Sequence, residues 1–270
     1  MHMNLRTEVA LVTGSSSGIG EACCERLSRK RRVYGASRTK TEGKRWFDVE
    51  MDVTDEGSVT TAVASILDRE GRIDAVVHCA GFSLTGPIEE TTCEEAIRQF
   101  ETNYFGTVRV LRAVLPAMRR EGSGKIIIVG SIAGLIGLPY FGHYSATKFA
   151  LDGLAEALRQ EVLAFGVYVS LVHPGQFKTR LTDNRIYPQS TTTSSEYDSV
   201  FRKTDAFYAA AEKRARSPDV VAKTVEAILA RRRPGLRYVI GEPLEVLGVW
   251  AKRILPSDAF AYAFRKLYLP

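Results

Sequence analysis

The sequence predicts an α/β protein built on a doubly wound parallel sheet in a single domain. Three observations lead there. Short apolar runs recur along the chain and alternate with helical patterns. The runs lack polar alternation, so both faces of each are covered. A glycine-rich turn, VTGSSSGIG at residues 12–20, joins the first run to the first helix.

Taken in order, EVALVT (8–13) is the first strand, and a helix follows near 18–30. VYGAS (33–37) and WFDVEMDV (46–53) are the second and third strands, with a helix near 56–70. DAVVHCA (74–80) is the fourth, and a long helical pattern covers 92–120. KIIIVGS (125–131) is the fifth, before a helix over 144–164 that is apolar nearly all round. YVSLVHP (168–174) is the sixth. A helix near 217–231 and RYVIG (237–241) complete a sheet of about seven strands. Right-handed crossovers between parallel strands make this a Rossmann-type arrangement. Residues 176–216 break the pattern: they are polar, Ser/Thr-rich and weakly periodic, which predicts a mobile segment or a substrate lid. The tail, 244–270, is rich in large apolar residues and split by Pro256. It is expected to pack on the domain or on a sister subunit, with a membrane surface as the less favoured partner.

Bulk composition excludes several classes. The chain has 270 residues, 45% of them hydrophobic, and a formal charge of +6, too weak and dispersed to imply nucleic acid. The clusters Lys30–Arg32 and Arg231–Arg233 lie near helix ends, where cations suit the dipole. Cys23, Cys24, Cys79 and Cys93 lack metal-ligand spacing, and the histidines form no cluster, so no metal site is expected. Reduced cysteines and the absence of an apolar leader in MHMNLRTE point to the cytoplasm. Residues 126–142 are apolar but interrupted by Gly, Ser and Pro, which suits a buried strand and loop better than a membrane span.

The first turn predicts a phosphate site. Gly14, Gly18 and Gly20 allow a tight turn and close approach to a pyrophosphate, and Ser16, Ser17 and Ile19 complete the cradle at the helix N-terminus. At the end of the second strand, a carboxylate would accept the 2′-hydroxyl of NAD(H) and repel a 2′-phosphate. This chain has Ser37 and Arg38 there, with Lys40 beyond, so NADP(H) is expected over NAD(H). Asp52, followed by Val53, is placed to meet the adenine edge; alternatively it begins the turn into the next helix with Asp55.

The stretch YSATK (144–148) sets a phenol and an ammonium one helical turn apart, on one face. A free phenol has a pKa of about 10. A nearby cation favours phenolate, so Lys148 is expected to lower the value for Tyr144. The phenol can then pass a proton to or from a substrate oxygen. Lys148 can also hold ribose hydroxyls, and Ser131, ending the fifth strand, can polarise the substrate oxygen beside Tyr144.

TGSSSGIG, DVTD (52–55), CAG (79–81), NYFG (103–106), Ser131, YSATK and HPGQFKT (173–179) stand in this order along the βα series. Together they closely resemble the short-chain dehydrogenase/reductase family, over residues 7 to about 180. The resemblance implies a seven-stranded parallel sheet and an active site of Asn103, Ser131, Tyr144 and Lys148. It also implies a distortion of the long helix at Asn103, with a backbone carbonyl and a water leading to Lys148. Where the family has Asn, this chain has Cys79, which cannot make the same amide bonds, so the turn needs other support; a buried structural thiol is expected there. Ala80 and Gly81 still permit close approach to the cofactor. Pro174 and Gly175 turn beside the nicotinamide, and Phe177 and Thr179 are expected to close over the ring and phosphates.

Leu135, Ile136, Leu138, Tyr140, Phe141, Phe82 and Leu84 predict a largely apolar pocket. The C-terminal half, with RYVIG and its apolar tail, looks like the hydroxysteroid and retinol dehydrogenase branch. The expectation is an NADP(H)-dependent enzyme for a lipophilic secondary alcohol or ketone. An oxoacyl-thioester reductase or a non-catalytic NADP-binding regulator are the alternatives. The apolar second face of the 144–164 helix predicts a homodimer or homotetramer.

Overall fold

The computed structural model describes residues 7–39, 44–179, 185–188 and 196–268. Seven strands form one parallel sheet in the order β3-β2-β1-β4-β5-β6-β7. They are β1 (Val9–Thr13), β2 (Arg32–Ser37), β3 (Phe47–Glu50), β4 (Ala75–His78), β5 (Gly124–Val129), β6 (Val167–Pro174) and β7 (Arg237–Ile240). All pairings are parallel, with β1 between β2 and β4.

Side-chain alternation explains why each strand reads as a continuous apolar run. Val9 and Leu11 of β1 face one cluster, while Ala10 and Val12 face the other. Ile126 and Ile128 of β5 likewise oppose Ile127 and Val129. The first cluster is covered by α2 (Glu56–Glu70), α4 (Gly106–Glu121) and α5 (Gly142–Val162). The second is covered by α1 (Gly18–Leu27) and α7 (Asp219–Ala230). Ile127 is fully buried, and its truncation to alanine costs about 2–5 kcal/mol.

Two elements differ from the sequence reading. The helical pattern at 92–120 is three pieces: α3 (Cys93–Phe100), a π-helical turn (Glu101–Phe105) and α4. The widened turn falls on Asn103, where the resemblance implies a distortion. Within the polar stretch 176–216, α6 (Asp198–Lys213) forms, burying Phe201, Thr204 and Tyr208. Residues 180–184 and 189–195 of that stretch lie outside the described residues. The tail forms two helices, α8 (Pro243–Ile254) and α9 (Ser257–Tyr268). Among the described residues no helix is long and apolar enough to cross a membrane. The Lys30–Arg32 cluster is ion-paired: Lys30 meets Glu226, Arg31 meets Glu8 and Arg32 meets Glu70.

The strand order reverses between β1 and β4. A doubly wound sheet opens a crevice at such a point, outside the carboxyl ends of the strands. The loops after β1 and β4 border a cavity of about 800 Å³ there.

Candidate active site

The loop after β1 is shaped by two glycines. Gly14 has φ +68°, and a Cβ on it would come within 2.9 Å of the Ala80 nitrogen. A Cβ on Gly20 would lie 2.1 Å from the Gly14 carbonyl oxygen. A side chain at either position would collide with the backbone that forms the cradle. At the N-terminus of α1, Ser17 stands at the N-cap but makes no side-chain cap bond. By contrast, Asp55 caps α2 and Thr92 caps α3 through a capping box. The α1 N–H groups are thus left without a side-chain acceptor, beside a cavity that Gly18 and Ile19 line. These features fit a dinucleotide pyrophosphate.

At the end of β2, the Ser37 hydroxyl donates to the Thr39 carbonyl at 2.7 Å, and exposed Arg38 borders the cavity. Lys40 lies outside the described residues. Asp52 takes part in the turn that leads into α2. Its Oδ1 accepts from the Thr54 N–H and hydroxyl, at 2.9 and 2.8 Å, and the residue also lines the cavity. Every other residue named from the sequence for the cofactor borders this one space.

The turn after β4 shows what replaces the asparagine. The buried Thr13 hydroxyl accepts from the N–H groups of Cys79 and Ala80, both at 3.2 Å. Its own hydrogen is therefore directed to His78 Nδ1, 2.9 Å away, which leaves His78 neutral with its proton on Nε2. Burial, reinforced by the Lys148 charge, holds His78 down to about 3. Cys79 is not the fully buried thiol expected: it is half-buried, lines the cavity and hydrogen-bonds the buried Cys23 thiol. Sequence reasoning missed the roles of Thr13 and His78. The only signal was a hydroxyl and an imidazole at the ends of two apolar strands.

Ser131 follows β5 and accepts from the Ala133 N–H at 3.1 Å. Its hydroxyl also hydrogen-bonds the Tyr144 phenol. Tyr144 and Lys148 are both buried on α5, and the ammonium lies 5.6 Å from the phenol ring centre. The expected lowering of the phenol is not seen in the free chain. Burial pushes Tyr144 up to about 12, opposed only by the Ser131 bond. Burial also brings Lys148 down to about 8, against a small opposing effect of Cys79. The low dielectric penalises both charged forms at once. A buried ammonium needs an acceptor, and the Val129 carbonyl supplies it at 3.0 Å.

Of the four residues expected in the active site, Asn103 is the one that does not border the cavity. It sits behind the wall, where its side chain pairs with the Phe82 backbone in both directions, each at 3.0 Å. Its amide also donates to the Thr147 hydroxyl, and its backbone carbonyl accepts from the Thr107 hydroxyl. Gln99, one turn earlier and fully buried, donates to the same Phe82 carbonyl. It too was missed, although the i, i+4 spacing to Asn103 was available.

The apolar wall is partly as expected. Phe82, Leu138 and Phe141 line the cavity, joined by Ile186 and Tyr208. Leu84 and Ile136 are packed into the interior, and Leu135 and Tyr140 do not border the space. Charged groups also enter: Arg185 pairs with Asp205 at 2.6 Å, and Glu212 and Glu245 reach the same wall. The pocket is therefore amphiphilic. Phe177 is buried and lines the cavity with Thr179, Pro174 and Gly175.

A sheet reversed at β1/β4, a glycine-bound anion cradle and a Ser–Tyr–Lys group in one crevice define a nicotinamide-dependent oxidoreductase. The short chain dehydrogenase family profile matches residues 8–189. A 3-ketodihydrosphingosine reductase of Bacteroides thetaiotaomicron is 39% identical, over 98% of this chain and 99% of that protein. Human 17-beta-hydroxysteroid dehydrogenase type 1 is 35% identical, over 87% of this chain and 77% of that one. A short-chain dehydrogenase structure from Streptomyces avermitilis superposes with a TM-score of 0.81 at 30% identity, covering 97% of each chain. The chain belongs to the short-chain dehydrogenase/reductase family, oxidoreductases that act on CH–OH groups with a nicotinamide dinucleotide.

Proposed function

We propose that this enzyme is an NADP(H)-dependent reductase of an amphiphilic ketone, with a long apolar portion and a polar head. The observation that carries the reading is the meeting of the Ser131 hydroxyl with the Tyr144 phenol, beside buried Lys148, in the cavity that begins at Gly14. When bound, the nicotinamide supplies or accepts the hydride.

The chain's own residues handle the oxygen. Ser131 donates to the substrate oxygen and fixes it against Tyr144. A phenol held near 12 is protonated at neutral pH, so Tyr144 gives its proton to the alkoxide that forms in reduction. The phenolate left behind is stabilised by the Lys148 ammonium on the same helix face. Asn103 braces the Phe82 segment, and with it the turn at 79–81, as a positioning residue.

Arg38 supports NADP(H), because a guanidinium suits a phosphate dianion and no acidic residue occupies position 37 or 38. Phe82, Leu138 and Phe141 suit an apolar chain, and Arg185 with Glu212 suits a polar head. The similarity to a reductase of 3-ketodihydrosphingosine supports a lipid ketone of that class. We also propose a homodimer or homotetramer formed through α5 and through α4 with the π-helical turn before it, where Phe149 and Phe105 are exposed. Four free cysteines fit a cytoplasmic location.

The test is a turnover screen of 3-ketodihydrosphingosine, keto-steroids and short aliphatic ketones, with NADPH and NADH in parallel and Tyr144→Phe as control. Faster turnover of the long-chain ketone with NADPH, abolished in the variant, is expected. Undiminished turnover in Tyr144→Phe overturns the mechanism, and a preference for NADH overturns the Arg38 argument.

A further inference from the structure

We propose that the outward face of α8 docks the enzyme on an anionic lipid bilayer; its benefit, delivery of a lipophilic ketone to the adjoining cavity, rests on the function proposed above.

Helix α8 has two unlike faces. The inner one is engaged. Val249 is buried against Ile132 and Ile136, Glu245 reaches the cavity and accepts from the Gln176 N–H at 2.9 Å, and Lys252 donates to the Leu135 carbonyl at 2.7 Å. The outer one is bare. Leu244, Leu247, Trp250 and Ile254 are 60%, 62%, 54% and 77% exposed. At about 100° per residue these side chains fall within one arc of roughly 120°, and no charged residue of α8 lies in it. Water-exposed leucine, isoleucine and tryptophan on one face mark an interaction surface.

Charge selects the occupant. Arg253 lies over the Trp250 ring at 5.2 Å, and Lys266 of α9 lies over Tyr262 at 4.8 Å. Arg265 adds a third exposed cation. Anionic headgroups meet the same cations favourably, and tryptophan and tyrosine suit the headgroup level. At 12 residues α8 is too short to span a bilayer, so it lies along the surface. Its inner face carries Glu245 into the cavity wall, so the docked face and the substrate space share one helix.

The chain has two tryptophans, and Trp46 is buried, so an emission change on binding reports Trp250. Phosphatidylglycerol/phosphatidylcholine vesicles are expected to co-sediment the full chain and shift its emission to the blue. Leu247→Glu with Ile254→Glu removes both effects. Arg253→Ser with Lys266→Ser weakens binding by about 30-fold, the equivalent of about 1 kcal/mol for each cation at an anionic surface. Circular dichroism and turnover of a water-soluble ketone confirm that the variants are folded. Equal binding to phosphatidylcholine alone, or no binding at all, overturns the proposal. So does a dimer mass that falls to one chain in the Leu247/Ile254 variant, which would assign the face to a second copy. An active enzyme that ignores vesicles refutes docking alone; an inactive one that binds them refutes the ketone reading alone.

Discussion

Lys148 burdens the fold that carries it, and its removal is expected to stabilise the free chain. Burial brings the ammonium from its ordinary value of 10.5 to about 8. Each unit corresponds to about 1.36 kcal/mol, so the charged form costs the folded state about 3 kcal/mol at neutral pH. Lys148→Met keeps much of the side chain's length and deletes that cost. It also strips the Val129 carbonyl of its donor, which returns about 1 kcal/mol. The net expectation is a gain of about 2 kcal/mol at pH 7, with turnover lost. The sign with pH follows from proton counts. Between about 8 and 10.5 the unfolded chain holds the proton and the folded chain does not, so wild-type stability rises with pH across that window. The variant lacks this rise, and its advantage shrinks toward pH 10.5. Urea unfolding of both proteins at pH 7 and pH 10 measures it. A variant less stable at pH 7, or a difference equal at both pH values, refutes the reasoning.

Three further outcomes follow from the same geometry. Thr13→Val strands the Cys79 and Ala80 N–H groups and is expected to cost about 2–4 kcal/mol in urea unfolding, with Thr13→Ser near wild type. Tyr144→Phe is expected to lower kcat by about 10²–10⁴-fold while leaving dinucleotide affinity and the unfolding midpoint little changed. Arg38→Leu is expected to raise the KM for NADPH by at least about 10-fold and to leave NADH little affected, a single charge-assisted contact being lost. Steady-state kinetics with both cofactors checks the last two.

Legibility in the sequence followed the range of the interactions. The cradle at Gly14–Gly20 and the Tyr144–Lys148 pair lie within one turn or one helix, and their spacing alone places them. The Thr13 brace lies across 65 residues, in the strand register that sets Thr13 beside His78. Nothing local to either residue announces it. Helix α6 was hidden for a related reason. Its apolar positions are few, and its inner face is defined by partners: Phe201 packs on Tyr140 and Tyr208 on Phe141, at 5.1 and 4.9 Å. The seven residues expected to line the pocket divided on the same principle. Apolar character predicts burial, whereas facing a cavity depends on the neighbouring loop.

The proton inventory explains why these side chains act together. His78 is neutral, because the Thr13 hydroxyl points its hydrogen at Nδ1 and burial opposes a second proton. The cation held over the Tyr144 ring is then Lys148, buried on the same helix. Phenolate and ammonium are each disfavoured by burial when formed singly. Formed together they neutralise one another, and the low dielectric that penalised each then strengthens their attraction. Loss of the Tyr144 proton is therefore tied to retention of the Lys148 proton. The apparent pKa governing turnover belongs to the pair and lies below the value of about 12 for Tyr144 in the free chain. A kcat–pH profile whose controlling group sits at or above that value, in an otherwise active enzyme, would show that the two titrate independently.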